Sequence, residues 1–347
     1  MTIREWSHDV RDGIRAIRKR ARTRFATQPV PHDGELALSL YVVAEALAAV
    51  PFTARPKLLA NSWTRAQPAV AEVCEIRSVG EYAATYGQLS EILGSPGATP
   101  PDGELDFLEW LVNRPALYPG TVGTADYFFL TAFISILAPQ RVVEIGTLTG
   151  FSAAIIAAAV RRRHPDNPAA CVDTIDIKRD CMIDESRPTG FEIDEAFPEL
   201  APMIHVHVPH SAAVVRQLAQ PDELELAFVD DGHAHPQPLL DFLQLAPYVR
   251  SGGWIIFHDT KLGSIGRQQR EAGQELKWGA PYGAEWLFDF CPFRKISGGN
   301  IGAVQMPSDK RALVPFALRL ASLPTELTVT ADQRTRRAIF ASLADLL

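Results

Sequence analysis

The segment "FVDDGHAHP" sets Asp230, Asp231, His233 and His235 close together directly after an apolar run, and a second apolar run ends in His258, Asp259 and Thr260. Two carboxylates and two imidazoles at one run end are costly as core filling, because each buried polar group needs a partner. The chemistry they offer is of two kinds. If the two runs are neighbouring strands, Asp230 and Asp259 converge, and their oxygens suit a hard divalent cation such as Mg2+ completed by water and substrate oxygens. In the metal-free alternative, His233 or His258 takes a proton as general base.

A second candidate site is "RVVEIGTLTGFSA", which carries Glu144, Gly146, Thr147, Gly150 and Ser152. The two glycines let a backbone approach a ligand closely, and Gly150, Phe151 and Ser152 offer amide groups at a helix start. A dinucleotide loop would show G-x-G-x-x-G over a pyrophosphate. Here an acidic residue stands two positions before Gly146, which suits a cationic ligand group better. Downstream, "CVDTIDI" ends near Asp176, a carboxylate placed to accept both hydroxyls of a ribose. Asp173 falls inside that run and Asp180 past it. His210 and Ser211 open a further helix; Ser211 reads as an N-cap, and the pair can also border an adenine ring.

These residues need elements to position them, and the sequence supplies them in alternation. From Arg141 onward, "RVVEIG", "CVDTIDI", "MIHVHV", "LELAFVDD" and "GGWIIFHD" read as strands, separated by the helical stretches "SAAIIAAAVRRR", "SAAVVRQLA" and "QPLLDFLQLAPYV". That alternation predicts an α/β fold: a Rossmann-like, doubly wound, mostly parallel sheet. "FRKISGG" and "NIGAVQM", joined at Gly-Gly-Asn, predict a terminal antiparallel hairpin. Residues up to about Arg114 read mostly as helix, as does the end of the chain. The expected division is a helical N-terminal region over 1–115, a catalytic domain over 116–306 and a helical extension over 307–347.

With 347 residues, 47% apolar and 22% charged, the composition is that of an ordinary soluble globular protein. A net charge of −7 argues against a general nucleic-acid or anionic-membrane binder and favours a small-molecule partner. Cys74, Cys171, Cys181 and Cys291 are scattered without C-x-x-C pairs, so neither a zinc ribbon nor a disulfide framework is signalled. No secretory or membrane-spanning run is present, and a cytoplasmic protein is expected. The arginine-rich start "REWSHDVRDGIRAIRKRARTR" places Trp6, Val10, Ile14 and Ile17 on one helical face, fit to pack on its own chain or on a second subunit. A homodimer through these N-terminal helices is the accompanying expectation.

The loop, the ribose-type strand end and the unit "FVDDGHAHPQPLLDFLQLAPYVRSGGWIIFHDT" resemble the class I S-adenosylmethionine-dependent methyltransferases, in particular their small-molecule O-methyltransferase branch. The likeness covers roughly Leu117 to Met306. It implies that Glu144, Gly146 and Gly150 line the methionine part of the cofactor, that Asp176 holds the ribose, and that His210 and Ser211 border the adenine. It implies also that Asp230 and Asp259 match the two aspartates of a Mg2+ site in metal-dependent relatives, with Thr260 standing where an asparagine is usual. The order Asp230-Asp231-Gly232-His233 departs from the D-G-D-H of that branch. Methyl transfer to a hydroxyl of a small-molecule acceptor is the expected activity, with His233 or a metal relieving the hydroxyl of its proton. A non-methylating accessory protein of the same fold and a nicotinamide-dependent oxidoreductase are the competing readings. Trp278, Tyr282, Trp286 and Phe288 are candidates for the acceptor pocket.

Overall fold

The computed structural model describes residues 67–114, 118, 121–274, 283–321 and scattered positions from 323 to 346. The first expected helices, the dimer contact assigned to them, Trp278 and Tyr282 lie outside the described residues.

The described chain opens with a two-residue strand β1 (Glu72–Val73), followed by helices α1 (Val79–Ile92), α2 (Glu104–Val112) and α3 (Thr124–Leu137). Then β2 (Arg141–Ile145) runs into α4 (Phe151–Arg163) and β3 (Cys171–Ile175). A small hairpin, β4 (Asp180–Cys181) and β5 (Asp184–Pro188), precedes α5 (Phe191–Ala196) and β6 (Ile204–His207). Next come the short α6 (Val215–Leu218), β7 (Leu224–Val229), α7 (Gln237–Leu245) and the long β8 (Val249–His258). The chain continues through α8 (Leu262–Glu271), α9 (Gly283–Phe290), β9 (Lys295–Ser297), β10 (Ile301–Gln305) and α10 (Leu313–Ala321).

Eight strands form one sheet in the order β1-β9-β10-β8-β7-β2-β3-β6. The strands from β8 to β6 are parallel, and β10 runs antiparallel to both β8 and β9. The five expected strands, the parallel sheet and the terminal hairpin are therefore all present. Val142, Val143 and Ile145 are buried on both faces of β2, as a central parallel strand requires. On one face the core joins α1, α3 and α4 to the sheet; on the other, Phe242, Phe257, Leu287 and Phe316 knit α7, α9 and α10 to it. α3 is buried almost all round, which its near-continuous apolar run dictates.

Three features escape periodicity. β1 falls in a stretch that reads as helix, because only its parallel pairing with β9 makes it a strand. No apolar alternation announces the β4–β5 hairpin, whose residues are mostly exposed. The stretch "SAAVVRQLA" yields one 3-10 turn and the four residues of α6 rather than a full helix.

A buried carboxylate ties three helices together. Glu104 in α2 accepts hydrogen bonds from Tyr82 in α1, at 2.7 Å, and from Ser135 in α3. Burial pushes its pKa up, against the pull of those hydroxyls. Glu104→Ala would leave two buried hydroxyls without an acceptor and is expected to cost about 2–4 kcal/mol in urea unfolding. An unchanged midpoint would mean that the helices are held by apolar packing alone.

Candidate functional site

The register of the parallel strands sets the site. Ile145 pairs with Ile175 on one side and with Val229 on the other, and Val229 pairs with Phe257. The next residue of each strand, Gly146, Asp176, Asp230 and His258, therefore stands in one row at the carboxyl edge of the sheet. The chain order turns back between β2 and β7, and ligands bind open α/β sheets at such a reversal.

Gly146 has φ +100°, and a Cβ built there would lie 2.0 Å from the main-chain oxygen of Asp230. At Gly150, φ +91°, an added Cβ would meet the Ile193 side chain at 2.6 Å. Both glycines thus meet a packing need within the protein, beside the ligand approach expected of them. The amides also differ from expectation. Asp176 Oδ2 accepts from the N–H groups of Thr147 and Leu148 at 3.2 and 3.1 Å. The Gly150 N–H goes to the Thr147 carbonyl and that of Phe151 to the Thr149 hydroxyl, so those two are not open donors. A partly exposed carboxylate thus holds the loop from one side.

Glu144 is fully buried behind this loop. Thr174 donates to its Oε2 at 2.5 Å, and the hydroxyls of Thr174 and Thr147 are 2.7 Å apart. Its other oxygen, Oε1, has no hydrogen-bond partner among the described residues. Burial raises its pKa from 4.5 to about 8; the Ser152 and Thr174 hydroxyls oppose the shift, while Asp230 and Asp176 add to it. A cavity lies in front, lined by Thr121 and Val122, by the turn from Gly146 to Ser152, and by Asp230. Ser152 and Asp230, two groups that act on the Glu144 carboxyl, line this cavity. His210 and Ser211 are both exposed farther along the rim, where the His210 N–H is bonded to the Asp176 carbonyl at 2.8 Å. Ser211 makes no side-chain capping bond.

The aspartates converge as expected, and an imidazole lies between them. His258 Nδ1 is 3.0 Å from Asp230 Oδ1 and 3.6 Å from Asp259 Oδ1, and its Nε2 is 3.2 Å from Asp126 Oδ2. Burial alone would lower the His258 pKa, but Asp230, Asp126 and Asp259 hold it well above its usual value. Burial would likewise raise Asp230, and the His258 charge and hydrogen bond, aided by His233, keep it below the ordinary carboxylate value. His258 is therefore a charged clamp and not a base. His233 takes the other side, with Nδ1 3.1 Å from Asp259 Oδ2. Asp231, which follows Asp230, is pushed by burial and by the charge of Asp176 to about 6.

Asp230, His233 and Asp259 each bring one ligand atom within 4.8 Å of the others. As a Mg2+ site this set fits poorly. Mg2+ favours oxygen donors in near-octahedral array, whereas the third donor here is an imidazole and a protonated His258 already engages both carboxylates. Thr260, at the asparagine position of the family, is buried with a hydroxyl that lacks a partner among the described residues.

Two residues of the site were not read from the sequence. Asp126 arrives from the first turn of α3, where it looks like any helix-start acid, and Asn300 from the β9–β10 turn, where it looks like a turn residue. Asn300 Nδ2 donates to Asp259 Oδ1 at 2.7 Å, and its side-chain oxygen accepts from the Lys261 N–H at 3.1 Å. Asp259 is held at φ +58°, a left-handed conformation that this turn sustains. Of the acceptor-pocket candidates, Phe288 belongs to the core, against Gly302, and Trp286 packs beside His235 with ring centroids 5.2 Å apart.

Residues 143–260 match a family model described as a methyltransferase domain. Among solved structures, the chain is similar to the O-methyltransferase TomG of Streptomyces achromogenes, involved in tomaymycin synthesis and bound to SAM. The identity is 16%, covering 65% of this chain and 98% of that one, with a TM-score of 0.40. It is similar also to an O-methyltransferase of Bacillus cereus in complex with SAH, at 17% identity, 66% and 100% coverage and a TM-score of 0.35. A methyltransferase of Geobacter sulfurreducens matches at 11% identity, 61% and 100% coverage and a TM-score of 0.36. No curated protein matches the chain.

Two outcomes are expected from this geometry. Gly146→Ala should destabilise the fold by about 3 kcal/mol or more, since neither the Asp230 main chain nor a positive φ can give. Gly252→Ala, at φ +77° with nothing within 4 Å of the added carbon, should cost only about 1–2 kcal/mol. Equal losses in urea unfolding would refute the close approach. For Glu144, the folded protein keeps a proton between pH 4.5 and about 8 that the unfolded chain has lost. Its stabilising contribution is full below 4.5 and is lost as pH rises through about 8. The melting temperature of Glu144→Gln should therefore gain on that of the parent from pH 5 to pH 8; a constant difference would show an ordinary carboxyl.

Proposed function

We propose that this chain, whose residues 143–260 match a family model described as a methyltransferase domain, transfers a methyl group from S-adenosylmethionine to a hydroxyl of a small-molecule acceptor. The observation that carries the proposal is the juxtaposition of the cavity at the Gly146 loop, with Asp230 in its wall, and an imidazole–carboxylate pair, His233 and Asp259, at the next strand end. When bound, the cofactor supplies a methyl group on a positively charged sulfur. Gly146, Thr147 and Ser152 line the side of the cavity suited to its methionine part, and Glu144 and Gly150 of the same strand and turn are the further residues assigned to it. Asp176, at the rim, is the ribose acceptor, and His210 and Ser211 border the adenine.

Asp230 sits between the cavity and the acceptor side. Clamped by His258, it stays ionised and faces the cationic centre. A proton on His233 Nδ1, directed at Asp259, makes Nε2 the basic nitrogen. Nε2 takes the acceptor hydroxyl's proton as the oxygen–methyl bond forms and the sulfur–methyl bond breaks, and Asp259 stabilises the resulting imidazolium. No step needs a metal, because the donor set does not suit Mg2+. The remaining acceleration comes from holding acceptor and methyl in line. The catalytic unit spans 116–306, with 307–347 as an extension on it. Among the described residues no helix is long and apolar enough to cross a membrane.

Calorimetric titration with S-adenosylmethionine and S-adenosylhomocysteine tests the reading. Binding that is lost or at least tenfold weaker in Asp176→Ala is expected, and binding of neither ligand would overturn it. Because Glu144 must ionise to meet a cationic group, binding at pH 7 should release a proton, detected across buffers of different ionisation enthalpy and absent in Glu144→Gln. With an acceptor in hand, His233→Ala should lower kcat by about 10²–10⁴ with cofactor affinity unchanged. Activity that disappears on chelation and returns only with a divalent cation would transfer the proton-removing role to a metal.

A further inference from the structure

A second cluster of chemically capable side chains lies on β3 and β6, away from the cavity. Cys171 and Asp173 project from the same face of β3, two residues apart, and His205 stands opposite Asp173 on β6. The thiol, a carboxylate oxygen and an imidazole nitrogen all lie within 4.8 Å of one another. Cys171 opens β3, so the cluster sits toward the amino end of the strand, roughly 16 Å from Asp176 by strand rise. It shares no residue with the methyltransferase site.

From this arrangement we propose that Cys171, Asp173 and His205 form a binding site for a zinc-like divalent ion, with water as the fourth ligand. Sulfur, nitrogen and oxygen donors in one cluster are the set that a borderline-soft tetrahedral ion takes. Bonds of about 2.0–2.3 Å place tetrahedral neighbours about 3.5 Å apart, and His205 Nδ1 is 3.4 Å from Asp173 Oδ1. That separation is long for a hydrogen bond. The Cys171 thiol has no hydrogen-bond partner among the described residues and forms no disulfide. The His205 side chain is half exposed, so an ion can enter from solvent.

The surroundings orient the carboxylate without exhausting it. Asp173 is buried; Arg141 Nε donates to its Oδ2 at 2.7 Å and His207 Nε2 contacts its Oδ1 at 2.7 Å. Each oxygen keeps a further lone pair, and outer partners of this kind fix the direction of a metal-binding carboxylate. Arg141 is itself paired with Glu223 at 3.0 Å. The guanidinium therefore does not cancel the negative charge that Asp173 and an ionised Cys171 would offer. Uptake of an ion displaces the thiol proton, because the thiolate is the ligand. An ion there would staple the outermost strand, β6, to β3.

Cobalt is the probe, because among the clusters of the described residues this one alone can give a thiolate band: the set at Asp230, His233 and Asp259 has no sulfur. The full chain, stripped with chelator and titrated with Co2+, is expected to show one equivalent of near-ultraviolet thiolate-to-metal absorption, displaced by Zn2+. Cys171→Ser should abolish the band. His205→Ala, a change at a half-exposed side chain that does not threaten folding, should weaken binding at least tenfold, while His233→Ala should leave the band intact. Zn2+ should raise the melting temperature of the parent and not that of Cys171→Ser. No thiolate band at saturating Co2+, or a band that survives Cys171→Ser, would overturn the proposal.

Discussion

The contact between the Asp230 main chain and Gly146 is the constraint on which the rest of the site depends. It lets β7 close against β2 at the carboxyl edge, with the Asp230 N–H bonded to the Ile145 carbonyl at 2.8 Å. A side chain on Gly146 would force the two strand ends apart. The cavity, the Asp176 bond to the loop and the position of the Asp230 carboxylate all follow from that closure. A glycine that looks like a ligand-binding device in the sequence is first of all a device for bringing two strands together, and the ligand site is the result.

Electrostatics then divides the site into two halves with opposite tendencies. Glu144, enclosed and without cationic partners, is raised to about 8 and waits in its neutral form. Asp230, mostly buried at the cavity wall, is kept ionised by the proton on His258, an imidazole that Asp126 and Asp259 also hold. The difference comes from one imidazole. One carboxyl is thus held neutral by burial, whereas the other is held ionised by its imidazole partner. His233 lies on the far side of Asp259.

The sequence by itself determined the parallel strands, their order of appearance, the terminal hairpin and most of the helices, because apolar periodicity and strand-to-helix alternation are local signals that burial later obeys. It also marked the strand ends: Asp176, Asp230, His233 and Asp259 follow strands at the carboxyl edge, where a polar residue directly after a buried strand emerges, while Glu144 lies buried within β2. Tertiary structure alone decided which of them act on one another. Asp126 comes from α3 and Asn300 from the β9–β10 turn, and neither carries a local mark of its role, since pairing across 132 and 41 residues leaves no periodicity. β1 became a strand only through β9. The protonation of His258 and of Glu144 likewise depends on what surrounds them in three dimensions, because a pKa shift is a property of burial and neighbours and not of the residue type.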